Sequence, residues 1–146
     1  MSFIAIALTV LVALIAALHL YWALGGLWPG RDEADLSRTV VGLTFSSRMP
    51  PPRMMGTVAL LLAGVAAWPL LIAPILRGLG PAQLATAFSI LIAAIFLFRG
   101  LLGYSAAMQQ RHAAEPFATY NRLYYSPLCL ALGAGFFVFA FNGGVA

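Results

Sequence analysis

Residues 3–29 read FIAIALTVLVALIAALHLYWALGGLWP, and this stretch decides the fold class. From Phe3 to Leu24 only Thr9, His19 and the polar tips of two rings interrupt an apolar run of 22 residues. At about 1.5 Å per residue the run reaches about 33 Å as a helix, and a bilayer core of roughly 30 Å needs about 20 such residues. A cleaved signal sequence is the competing reading. No basic segment precedes Phe3, and the run exceeds the roughly 7–15 residues of a signal's apolar region, so an uncleaved span is expected. Gly25-Gly26 can take the left-handed geometry that ends a helix, and Pro29 blocks its resumption. Trp22 and Trp28 stand where an interfacial aromatic belt would be.

The rest of the chain repeats this pattern. Its 146 residues are 62% hydrophobic and 8% charged, against about 25% charged in ordinary globular domains. Mean hydropathy is +0.95. Further spans are expected at about 54–76, 82–107 and 122–141, giving an all-α integral membrane protein: a single four-helix transmembrane bundle with up-down topology. Pro69 and Pro74 should kink the second span. Ala59, Ala63 and Ala67 give it a seam of small residues for close helix packing. Pro50-Pro51-Pro52 is a stiff extended spacer in front of it. Between, residues 32–41 can form a short surface helix, with Leu36 and Val40 at helical spacing. Arg77-Gly78-Leu79-Gly80-Pro81 reads as a tight turn, with Pro81 suited to a helix's first turn. Ser126-Pro127 has the form of an N-cap followed by proline at the first helical position, with helix starting further upstream near Tyr120. Gly143-Gly144 should end the last span.

Net charge is +4, from eight arginines and four acids, with no lysine. So small a basic excess, dispersed over loops, is not a nucleic-acid footprint; it suits topology and contact with anionic lipid headgroups. Alternating spans place Arg31, Arg38, Arg48, Arg53, Arg99, Arg111 and Arg122 on one side and Arg77 alone on the other. The positive-inside rule then puts both long loops in the cytoplasm and both termini outside. The single cysteine, Cys129, has no intrachain partner and lies in apolar surroundings that keep a thiol inert. His19, His112 and Glu115 are too few and too irregular for a metal site, and no haem, zinc, phosphate-loop or nucleophile-elbow pattern is present, so no cofactor is named.

The alternation also gathers polar groups at one end. His19, Trp22, Arg53, Arg99, Glu115, Asn121, Tyr124 and Tyr125 all fall near the cytoplasmic ends of spans and are the ligand-binding candidates. His19 is either bonded to a carbonyl or an acid/base group, since an ionisable residue inside a span is a functional hypothesis by default. Arg99 either snorkels to the interface or pairs with an anion; Glu115 is its best protein partner, the other acids being confined to the first loop. The tyrosines anchor the last span or donate to a ligand oxygen.

The stretches HLYWALGGLWP, from His19, and NRLYYSPLC, Asn121 to Cys129, resemble those of a bacterial family of unknown function. The resemblance implies a small four-span protein of the inner membrane and carries no activity. Two functions follow. One is binding, or chemical modification, of an amphiphile such as a lipid, quinone or isoprenoid at a polar pocket open to the cytoplasm. The other is a non-catalytic accessory or transport-related subunit, whose small-residue seams pack against partner helices or a second copy.

Overall fold

A computed structural model describes residues 3–80 and 82–142, and the described residues form helices and loops without a strand. Four helices are long and apolar enough to cross a membrane: α1 (Phe3–Ala23), α3 (Pro52–Leu79), α4 (Ala82–Leu102) and α6 (Phe117–Asn142). Two short helices sit in the long loops, α2 (Glu33–Val40) and α5 (Ala106–Arg111). Pro81 and the Gly143-Gly144 stop lie outside the described residues.

The helix ends follow local chemistry. Asp32 caps α2 by accepting from the Asp35 amide at 2.8 Å. Pro52 opens α3, where a missing amide costs nothing. α4 stops at Leu102, short of residue 107, because Gly103 and Tyr104 turn the chain and Ser105 caps α5, accepting from Met108 at 3.2 Å. Arg99 is therefore one turn from the end of its span rather than two. α6 begins at Phe117, and Ser126 is not its N-cap: the serine lies fully buried inside the helix.

Both proline sites in the long helices take the same form. A π turn spans Trp68–Ile72 and another Asn121–Tyr125, each ending two residues before a proline, Pro74 and Pro127. Proline has no amide to give the carbonyl four residues back, and its ring collides with that carbonyl in α geometry. Widening the turn takes that carbonyl out of the collision. The amide just before each proline then reaches five residues back, Ala73 to Trp68 and Ser126 to Asn121.

The long helices pair in sequence. α1 and α3 run antiparallel, with the Thr9 hydroxyl donating to the Ala66 carbonyl at 2.9 Å near one end and Gly56 against Ala23 at the other. α4 and α6 do the same, from Thr86 beside the Ala140 carbonyl to Gly103 beside Ser126. Gly100 and Gly133 let this second pair close: a methyl group at either would enter Leu130 or Leu97. The pairs meet around a core of Leu8, Val12, Trp68, Ile92, Leu132, Phe136 and Phe139. There the Trp68 indole donates to the Ser89 hydroxyl at 2.9 Å, and Ser89 donates to Ala85 at 2.8 Å, so neither buried polar group lacks a partner. This core lies toward the ends of α1 and α6 that carry Phe3 and Asn142. The opposite ends meet the two long loops.

Candidate functional site

The two loops lock together. Gly42, at φ +70°, turns the first loop after α2, and the Phe117 ring lies where its side chain would be. The Gly42 carbonyl accepts from Ala114 at 3.2 Å, and the Thr44 amide donates to Arg111 at 3.1 Å. His112 approaches the Val41 carbonyl with Nδ1 at 2.6 Å. A carbonyl can only accept, so Nδ1 carries a proton, and in the neutral ring it is Nε2 that holds the lone pair. The Tyr125 hydroxyl donates to Thr39 at 3.2 Å, and the Phe117 ring packs beside both His112 and Tyr125 at 5.7 Å. The first loop is braced from within by Ser37 donating to Arg48 at 3.1 Å and by Glu33 accepting from Met49 at 3.2 Å.

Beneath this cap the π turn of α6 presents Asn121, only 4% exposed. Its amide nitrogen donates to the Gly103 carbonyl at 3.0 Å, and its oxygen accepts from Arg99 Nη2 at 3.1 Å and from Ser126 at 3.2 Å. A side chain at Gly103 would strike both Ser126 and Asn121. Arg99 Nη1 is the one buried side-chain nitrogen or oxygen without a hydrogen-bond partner among the described residues. The expected pairing with Glu115 is not formed. Glu115 instead accepts from the Thr119 amide and hydroxyl at 3.3 and 3.1 Å, caught by the open first turn of α6. Arg99 is left with a neutral amide as its partner, and no carboxylate stands within 4.0 Å of it among the described residues.

Asn121 also lines a cleft of about 180 Å³ with Gly103, Gln109, His112, Glu115, Thr119 and Arg122. His112, Gln109, Thr119, Gly103 and Ser126 are absent from the sequence-derived candidates. His112 was visible as an ionisable loop residue, but only the loop pairing shows that its Nδ1 is held by Val41 and that the residue lines this cleft.

The remaining candidates fall elsewhere. His19 donates from Nδ1 to the Ile15 carbonyl at 2.8 Å, and its ring meets Trp22 edge-on at 5.3 Å. Trp22 donates to the Trp28 carbonyl at 2.8 Å, and Tyr21 accepts from the Trp28 amide at 3.3 Å while its ring fills the space over Gly26. This aromatic knot borders a separate cleft of about 370 Å³, shared with Glu33, Met49 and the three prolines. Arg53 and Tyr124 are exposed at the helix starts. The single convergent patch expected at this end thus resolves into two: Arg99, Asn121 and the second loop, and His19, Trp22 and the first. No group of three or more His, Cys, Asp or Glu side chains gathers as a metal site among the described residues.

A family model described as "Protein of unknown function (DUF3995)" matches residues 12–136. No curated protein and no solved structure matches the chain.

Proposed function

Because the chain belongs to the DUF3995 family, whose description assigns no activity, its role has to rest on geometry, and we propose that it binds the anionic headgroup of an amphiphile at the Arg99–Asn121 end of a four-span membrane protein. The observation that carries this reading is the uncompensated Arg99. A half-buried guanidinium whose buried Nη1 has no partner and which meets only a neutral amide is costly to keep, and unpaired buried groups mark sites where an ion or ligand is bound. Arg122 and the carboxylate of Glu115 line the adjoining cleft, and Asn121, which Arg99 bonds, lines it too, so an anion seated there faces one guanidinium directly and lies one residue from a second. The outer faces of the long helices supply a surface for the apolar part: Leu14, Leu60, Leu61, Ile95, Phe98 and Phe141 are each at least 58% exposed. Such a surface suits lipid and is unfavourable in water.

The test is mass spectrometry of amphiphiles that co-purify with the protein. Arg99→Gln, which keeps a hydrogen-bonding side chain but no charge, should reduce the bound acidic amphiphile by about tenfold, the equivalent of ~1.4 kcal/mol. Equal loading of variant and wild type would remove the reading.

In the proposed orientation the capped end is cytoplasmic, in keeping with seven arginines at that end and one at the other. In a Cys129→Ala background, Phe45→Cys in the cap should resist an impermeant thiol reagent applied to intact cells. Leu79→Cys at the opposite end should react. The reverse pattern would invert the topology.

A second reading, an accessory subunit, is favoured by one feature. An open apolar groove of about 330 Å³ runs between α1 and α3 along Ala13, Ala16, Ala17, Gly56, Ala59 and Ala63, the small-residue surface on which membrane helices associate.

A further inference from the structure

The cleft beside Asn121 offers more than charge. Its donors are the Arg122 guanidinium and the amides of Asn121 and Gln109, which are already committed, Asn121 to the Gly103 carbonyl at 3.0 Å and Gln109 to the Tyr104 carbonyl at 2.9 Å. Glu115 spends both carboxylate oxygens on Thr119. His112 lines the same cleft, and its Nδ1–H is fixed on Val41 by the paired loops. In the neutral ring Nε2 is then the acceptor, and the ring is held by the Nδ1 bond and by Phe117 packed against it at 5.7 Å. An anion has no proton to give that nitrogen, whereas a hydroxyl has.

Resting on the anionic-amphiphile reading above, we propose that His112 is a specificity-determining residue, and that the headgroup is a phosphodiester carrying a hydroxylated alkyl group, with a headgroup hydroxyl donating to His112 Nε2. The phosphate oxygens face Arg122 and the field of Arg99, and the hydroxyl extends under the cap toward His112. A site whose acceptor is left unpaired by the wrong ligand discriminates against it. Phosphatidylglycerol and phosphatidylethanol make the matched probes: each carries one phosphodiester charge, and only the first has headgroup hydroxyls.

The experiment measures binding of the full-length protein to nanodiscs or mixed micelles doped with each lipid. Wild type should favour phosphatidylglycerol by about three- to tenfold, the range of one ordinary hydrogen bond. His112→Asn keeps a donor in the place of Nδ1 and lacks the atom in the place of Nε2. It should bind both lipids equally, with phosphatidylethanol held as tightly as by wild type. Soluble glycerol 3-phosphate at millimolar concentration should not displace the lipid; displacement would assign the site to a free phosphate ester. Equal wild-type affinity for the two lipids, or an undiminished preference in His112→Asn, overturns the role of His112 while leaving the anion reading intact. Arg99→Gln binding both lipids as tightly as wild type overturns the anion reading itself.

Discussion

Replacing Asn121 by alanine is expected to destabilise the protein by about 3–5 kcal/mol, through one lost hydrogen bond to a charged group and the buried partners left unpaired. Asn121 is shared by three groups: Arg99, the Gly103 carbonyl and the Ser126 hydroxyl. A hydrogen bond to a charged group contributes about 1.5–3 kcal/mol, and each buried group left unpaired costs about 1–3 kcal/mol. The loss should fall steeply when Arg99 is removed as well, since no buried charge is then stranded. In a cycle with Arg99→Leu the coupling should exceed about 1 kcal/mol, against the ~0.3–0.5 kcal/mol of independent sites. Arg99→Ala and Glu115→Ala, which do not touch, should be additive within that smaller margin. Unfolding in mild detergent reads all of these. A cost below 1 kcal/mol for Asn121→Ala would mean that the network does not hold the end of α4 to the start of α6.

Gly42→Ala should have the second-largest effect. Its φ of +70° is left-handed, and an L side chain there costs about 1–2 kcal/mol. The new methyl group would also enter the Phe117 ring, and overpacking adds about 1–3 kcal/mol. The sum, about 2–5 kcal/mol, acts on the contact between the two loops and spares the core near Trp68. Hydrogen exchange should accordingly rise in residues 30–53 and 106–120 and stay unchanged in the middle of α4 and α6. Uniform acceleration along the whole chain would show that cap and core unfold as one unit.

The spans were legible because length and apolarity decide them, and the short helix at Glu33–Val40 because Asp32 and the spacing of Leu36 and Val40 mark it. Arg99 and Asn121 were legible as polar residues at one end, but their partnership was not. It depends on a π turn that alters the phase of α6, and no propensity marks a π turn before it is seen beside its proline. Ser126 misled for the same reason. A serine before a proline has the form of an N-cap, yet here it is five residues along a widened helix from the amide it bonds. The separation of His19 from Arg99 was hidden by the rotation of each helix about its axis. Topology says which ends share a side; glycines such as Gly100 and Gly133 say which faces close, and they do so only once their neighbours are known.

The sequential pairing of the helices bears on how the protein is made. Everything that joins α1 to α3 has been synthesised by Leu79, so the first hairpin can pair while the second is still on the ribosome. The cap draws one half from each hairpin: Thr39, Val41, Gly42 and Thr44 wait for Arg111, His112, Ala114 and Tyr125. A chain halted after Leu102 holds the first hairpin but has neither a lid nor the cleft below it. The lining of that cleft is thus complete only once the chain has been made as far as Arg122.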